Sequence, residues 1–403
     1  MDYQPLLARR VATELPALFR AGSAAPQGVI PLTYGFPDPL SFPIEVLVEA
    51  AARVLRSQGH EALQYGPIAG PEALLDLLVT KLGGEGISVT RDNLLVTSGG
   101  SQGIDLITHL LVDPGDAIVV EAPTFIGALQ TFRNAEAEVH EVALDEHGLH
   151  TESLAALLGD LASAGRRPKF IYTIPTFQNP AGVTLSLERR HALVELARRH
   201  GTILVEDDAY SELRFDGQAL PSLYSLRPEG GVFQVRTFSK ILAAGLRLGY
   251  VVAPAALLPR LLQLKVDVGT SPFACHLAVA FSSDRRAQLD RLQAHIETLR
   301  GVYRERRDAM LGALEEYAPP GVTWTRPEGG FFTWLTLPEG LDAAGLLPRA
   351  TAAGVSYIPG SSYFASGASG SGSRQLRLAF SFLPPQQLVE GVRRLCRTIA
   401  TSD

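Results

Sequence analysis

Between residues 94 and 239 the chain repeats one pattern, a short apolar run closed by turn residues and followed by a stretch of helical periodicity. The runs are LLVTS (94–98), AIVVEAP (117–123), KFIYTIP (169–175), TILVEDD (202–208) and GVFQVRTFS (231–239). Each is too short for a helix and too apolar for a strand with one wet face, so each reads as a strand buried on both sides. Strands that alternate with helices build βα units on a largely parallel sheet, which predicts an α/β fold. Ligands on such sheets sit beyond the C-terminal strand ends, so the polar residues just after each run are the candidates for chemistry.

The flanks complete the plan. Residues 5–20 read as a short amphipathic helix, and 31–43 (PLTYGFPDPLSFP) as an extended, proline-stiffened arm in which Gly35 permits a close backbone approach. Helices are expected over Glu45–Ser57 and after Pro71, with Tyr65 in the loop between them. From Arg285 to Tyr317 a long amphipathic pattern, interrupted near Gly301 and ended by Pro319 and Pro320, leads out of the sheet region. GVTWTR, GGFFTWLTL and QLRLAFSF then read as strands of a smaller α+β unit closed by a helix over Pro385–Ile399, and residues 362–375 are Gly/Ser-rich and expected to be mobile. A chain of 403 residues exceeds the roughly 250–300 that one core serves. The expected division is 1–44 as N-terminal helix and arm belonging to the small domain, 45–284 as the large domain and 285–403 as the C-terminal small domain.

Charge and composition narrow the partners. The net charge is -6, which gives no global basic field for nucleic acid or an anionic membrane. Small molecules or a second copy of the chain are the expected partners. Cys275 and Cys396 form no CxxC pair, which argues against a disulfide framework or thiolate metal site and points to the cytoplasm. No metal is expected, since the nine histidines show no H-E-x-x-H spacing. The first residues lack the basic-then-apolar order of a signal peptide, and no apolar run approaches about 18 residues.

At the strand ends, Lys240 closes the run 231–239 behind Thr237 and Ser239, with Arg247 seven residues on. An imine-forming amine beside hydroxyls and a guanidinium suits an aldehyde cofactor that carries a phosphate. The turn after 94–98 offers Gly100, Ser101 and Gln102 at a helix start, a backbone cradle for an anion. Its rival is a nucleophile elbow, because residues 99–103 also fit G-x-S-x-G, but the later His276 and His295 lie in helical patterns. Asp207, in the run Glu206-Asp207-Asp208, can keep a heterocyclic nitrogen protonated, and Tyr210 lies three residues beyond. Asn179, in the turn PTFQNP, offers a donor and an acceptor; Phe125 can stack on a flat ring; and Arg377 stands in an apolar strand where it needs an internal acid or a substrate carboxylate.

These motifs, in this order along nearly the whole chain, resemble the class I/II aminotransferases, pyridoxal-phosphate enzymes of fold type I, and most the branch with 2-aminoadipate and kynurenine aminotransferases. The quoted stretches are GFPDPLSFP, LQYGPIAGPEALL, TSGGSQG, EAPTF, IPTFQNPAG, VEDDAYSEL, TFSKILAAGLRLGY, PEGGFFTW, VSYIPGSSYF and LRLAFSF. The resemblance implies a large domain with a seven-stranded, mostly parallel sheet, and an exchange of the α-amino group of an amino acid with a 2-oxo acid. It implies that Lys240 forms the internal aldimine with pyridoxal 5′-phosphate and shuttles the proton, while Asp207 pairs with the pyridine nitrogen. Asn179 and Tyr210 would hold the ring's phenolic oxygen, Phe125 would stack on its face, and Gly100, Ser101, Gln102, Thr237, Ser239 and Arg247 would bind the phosphate. Tyr65 would reach the phosphate of the other subunit of a homodimer. Arg377 and Asn179 would meet the α-carboxylate under the arm at Gly35. Phe125 and Ala244 stand where the family commonly has tyrosine and proline, and the arginine that reads acidic side chains in aminoadipate-type members falls near Leu18, with Arg20 displaced. Aminoadipate-type, aromatic or branched-chain substrates remain open. So do a β-lyase or decarboxylase on the same fold and a cofactor-binding sensor, although the basic winged-helix segment of such regulators is not evident.

Overall fold

The computed structural model describes residues 1, 3–8, 10, 27–282, 290–365 and 371–402. A two-residue strand, Ile30–Pro31, pairs in parallel with Val355–Ser356. Helices α1 (Ile44–Ala62) and α2 (Glu72–Gly84) follow. The central region runs β1 (Leu94–Thr97), α3 (Gly100–Leu111), β2 (Ala117–Ala122), α4 (Ile126–Asn134), β3 (Glu138–Asp145), β4 (Gly148–Leu149), α5 (Thr151–Ser163), β5 (Phe170–Thr173), α6 (Leu187–Arg199), β6 (Ile203–Asp208), β7 (Val232–Thr237) and β8 (Gly249–Val252). The rest comprises α7 (Leu258–Leu264), α8 (Pro272–Ser282), α9 (Asp290–Tyr317), β9 (Thr323–Trp324), β10 (Phe332–Thr336), α10 (Ala343–Ala352), β11 (Ile358–Pro359), β12 (Gln375–Ala379) and α11 (Pro385–Ala400).

The five apolar runs become β1, β2, β5, β6 and β7 of an eight-stranded sheet ordered β1-β8-β7-β6-β5-β2-β3-β4, a seven-stranded sheet with the two-residue β4 at its edge. Strands β7, β6, β5, β2 and β3 pair in parallel, while β8 is antiparallel to both β1 and β7. Both faces are covered, which explains the unbroken apolar composition. Val119, Ile171, Leu204 and Val232 pack with Leu154 and Leu158 of α5 and Leu193 of α6. Their neighbours Ile118, Val120, Tyr172, Val205 and Phe233 pack on the other side with Ile104 and Ile107 of α3 and Phe132 of α4. A second, antiparallel sheet is ordered β9-β10-β12-β11, and one apolar cluster joins its Leu335, Leu376 and Leu378 to Tyr303 and Met310 of α9, Leu388 of α11 and Leu74 of α2.

The sequence reading differs from this structure at particular points. Helix α1 extends past Ser57 to Ala62, turning non-helical at Gln58. Helix α9 passes through Gly301 without a break, because that position is exposed and costs only helix propensity while Leu299 and Tyr303 beside it are buried. Residues 11–20 of the expected N-terminal helix, with Leu18 and Arg20, lie outside the described residues, as do 283–289 and 366–370. Strands β3 and β8 were not read from the sequence. The first is a half-exposed, charge-bearing strand, and the second hides within the continuous LRLGYVVAP.

The arm is fixed by a buried ion pair. Asp38 Oδ2 meets Arg306 Nη2 of α9 at 2.8 Å, and the same carboxylate accepts from Leu40 N (3.1 Å) and Ser41 Oγ (2.6 Å). Removing it leaves a buried guanidinium without its counter-charge. Asp38→Ala is expected to destabilise the protein by about 3 kcal/mol, read as a lower urea midpoint at an unchanged slope.

Candidate active site at the C-terminal strand edge

Because β1, β2, β5, β6 and β7 point one way, the turns after them meet on one edge. The β1–α3 turn depends on Gly99, whose φ of +86° suits glycine and whose Cβ would lie 2.6 Å from Arg247 Nη2. Gly100, Ser101 and Gln102 then form the first turn of α3, with N–H groups free of intrahelical partners. Across from them Thr237 Oγ1 donates to Ser239 Oγ at 2.9 Å, and Arg247 reaches Ser98 O at 3.4 Å. These six residues and Gly99 make one electropositive corner. The Gln102 side chain is committed elsewhere, accepting from Ser98 N (2.7 Å) and donating to Asp267 Oδ2 (2.9 Å), so what it offers an anion is its backbone N–H.

Lys240 follows β7, and its Nζ donates to Gly35 O at 3.1 Å. The contact requires glycine in the arm, since a Cβ at Gly35 would lie 2.5 Å from Phe332 Cζ. Burial pushes the Lys240 amine down to about 8, with Arg377 and Arg247 acting in the same direction and Asp207 against it. Asp207, at the end of β6, is buried and accepts from Tyr172 Oη at 2.6 Å. Burial raises its carboxyl to about 6, helped by Asp208 and opposed by the Tyr172 hydrogen bond and Lys240. Tyr210 is also buried, set edge-on against Phe331 (5.4 Å) and Phe332 (5.8 Å). Phe125 stands half-buried at the N-cap of α4.

Arg377 lies on β12 opposite Trp334 of β10. Its Nη1 donates to Asn179 Oδ1 at 3.1 Å and its Nη2 to Thr33 O at 2.7 Å, while its guanidinium carbon sits 4.2 Å from the Phe332 ring centroid. Among the described residues it has no carboxylate partner, and its Nε is buried without a hydrogen-bond acceptor. The internal acid that its sequence context allowed is absent there. Tyr65 stands apart from this cluster, 81% exposed on the α1–α2 loop.

Glu121 was missed as a site residue, although an acid inside the apolar AIVVEAP was a usable signal. It accepts from Thr173 Oγ1 (2.5 Å), Ile174 N (3.1 Å) and Gln178 Nε2 (3.2 Å), and Gln178 also donates to Pro123 O (2.7 Å). One buried carboxyl thus ties the turn of Phe125 to the turn of Asn179, and burial raises it to about 7. The hydrolase arrangement fails on geometry. A nucleophile elbow places its serine on the strained strand-to-helix turn, whereas here Gly99 takes the positive φ and Ser101 is already helical. Among the described residues no group of histidine, cysteine and acidic side chains could hold a metal.

A partly buried amine of lowered pKa, a buried carboxylate and an anion-binding corner, all on one strand edge, define an enzyme that holds an aldehyde cofactor through an imine and a phosphate. The model of the class I and II aminotransferases matches residues 27–395, and the chain belongs to that family. It is 39% identical over 406 residues to the aromatic-amino-acid aminotransferase 1 of Thermococcus litoralis, covering 99% of this chain and 95% of that protein. The crystal structure of Pyrococcus horikoshii kynurenine aminotransferase superposes with a TM-score of 0.92 at 38% identity, covering 99% of this chain and 98% of that one. The α-aminoadipate aminotransferase of Thermus thermophilus gives 0.90 at 35%, with 99% and 98% covered. Pyridoxal 5′-phosphate, the cofactor of this family, fits the residues present: an amine of lowered pKa for its aldehyde and, beside a helix N-terminus for its phosphate, Arg247, a cation with no carboxylate partner among the described residues.

The amine's pKa has a measurable consequence. Its folded value of about 8 lies below the ordinary 10.5, so the charged form is disfavoured by the fold and the neutral amine gains as pH rises through 8. In cofactor-free protein, acylation of Lys240 followed by mass spectrometry is expected to show a midpoint near pH 8. Arg377→Leu, which removes a neighbouring cation, should move that midpoint upward.

Proposed function

We propose that this aminotransferase exchanges the α-amino group of an apolar or aromatic amino acid with a 2-oxo acid, with Arg377 receiving the substrate carboxylate. The observation that carries the reading is the Arg377 guanidinium, buried beside Asn179 and short of a counter-charge. A carboxylate bound there gains charge-assisted, bidentate hydrogen bonds that a neutral carbonyl cannot match. The bound cofactor supplies an electron sink for the carbanion at the substrate's Cα. Lys240 Nζ would accept the proton from Cα and pass it to the cofactor carbon that carried the aldehyde, a task suited to an amine poised near working pH. Asp207 would pair with the pyridine nitrogen and keep it protonated, Asn179 and Tyr210 would hold the phenolic oxygen, and Phe125 would cover the ring. The N–H groups of Gly100, Ser101 and Gln102, the hydroxyls of Thr237 and Ser239, and Arg247 would hold the cofactor's phosphate. The arm at Gly35 closes over the substrate.

Support for an apolar side chain comes from the arm. Phe36, next to Gly35, stacks on Tyr34 at 5.2 Å between centroids, and both meet Phe382 edge-on. The similarity to an aromatic-amino-acid aminotransferase agrees with that chemistry. We also propose a homodimer in which Tyr65 reaches the partner's phosphate, because Tyr65, Leu63, Ile68, Val266 and Val268 are exposed together on adjoining loops. We assign residues 45–284 to a large domain and 1–44 with 285–403 to a small one, a reading supported by the presence of two separate sheets, and the free thiols of Cys275 and Cys396 suit the cytoplasm.

Mixing holoenzyme with single amino acids and no oxo acid tests the reading. Stoichiometric bleaching of the cofactor's visible band, fastest with aromatic or aliphatic amino acids, is expected; sustained release of ammonia or carbon dioxide would contradict it. Arg377→Leu should lower kcat/KM about a hundredfold or more while leaving the cofactor bound.

A further inference from the structure

Asp207 can serve a ring nitrogen only if one of its oxygens is aimed and the carboxylate does not turn. A carboxylate torsion is broad and roughly two-fold, so the backbone of β6 does not fix it. Among the described residues one side chain donates to Asp207, and it comes from the neighbouring strand: Tyr172 of β5, through Oη to Oδ2 at 2.6 Å. Tyr172 is itself held by packing. It is fully buried, its ring set edge-on to Phe132 of α4 at 5.3 Å. Asp208, the next residue, turns to the opposite side and is spent on Ser211 and Arg236. The other ionisable groups around Asp207 are Glu121 from β2, Lys240 after β7 and Tyr210 after β6, and none of them bonds its oxygens.

We propose that Tyr172 is the positioning residue for Asp207: by occupying Oδ2 it fixes the carboxylate plane and leaves Oδ1 to the cofactor's ring nitrogen. Burial and the adjacent carboxylate hold the phenol well above its ordinary pKa, so it remains a donor throughout the working range. Part of the grip on the cofactor therefore originates in a side chain of the strand beside Asp207 that does not itself touch the cofactor. The inference rests on Asp207 pairing with the pyridine nitrogen.

The experiment titrates cofactor-free protein with pyridoxal phosphate in four forms: wild type, Tyr172→Phe, Asp207→Ala and the double variant. Tyr172→Phe removes one hydroxyl without changing the ring, and the thermal midpoint of its cofactor-free form serves as the folding control. The expected result is about tenfold weaker binding, with a shifted pH midpoint of the bound cofactor's visible band. In the Asp207→Ala background the same change should cost less than about twofold, because nothing remains to be positioned. Wild-type affinity and pH midpoint in Tyr172→Phe, or an equal loss in both backgrounds, would overturn the inference. Wild-type affinity in Asp207→Ala would instead overturn the pairing on which it rests.

Discussion

A common strand direction governs this molecule. Five strands that end on one edge bring Gly100, Phe125, Asn179, Tyr210 and Lys240 together although they are scattered over 140 positions of chain. The constraint is steric before it is chemical, since parallel neighbours need crossover helices and those helices must cover both faces. The reversed strand β8 preserves the arrangement by letting β1 run alongside β7's direction at one remove, which returns Arg247 to the Gly99 turn.

Burial then tunes the groups that the edge collects. Glu121, Glu206 and Asp207 are all raised by desolvation, while Lys240 is lowered by the same cause. Their differences come from local donors and charges. Glu206 is held by Leu223 N and Tyr224 N behind the sheet, and Glu121 by the β5 terminus, so both act as struts. Asp207 and Lys240 point forward and remain available. One desolvated layer thus holds both the struts and the candidate groups of the site, with Glu206 and Asp207 leaving opposite faces of β6.

The sequence exposed this division unevenly. Lys240, Asp207 and the Gly99–Gly103 turn were legible because each follows a strand too apolar to be misread, and chemistry at strand ends is a property of the sheet. Arg377 was legible as a polar exception inside QLRLAFSF. Strand β3 was not, because its mixed polarity at the sheet edge gives neither period clearly. The ties made by Tyr172, by Gln178 to Glu121 and by Gln102 to Asp267 were invisible for another reason: each joins residues 35 to 165 positions apart, and their spacing carries no periodic signal. Pairing across strands appears only once the register is known.

The arm places two carbonyls two residues apart against two cations, Thr33 O on Arg377 and Gly35 O on Lys240. With Asp38 clamped to Arg306 only three residues further on, this stretch cannot yield one carbonyl while keeping the other in place without local distortion. A carboxylate that claimed Arg377 Nη2 would therefore displace the Thr33 carbonyl, whereas one that reached Nε would fill a donor with no partner among the described residues. Selectivity in such a site is a difference between two occupants of the same donors, so a change in the arm's stiffness would alter affinity for every substrate by a common factor and leave their ranking to the side-chain pocket.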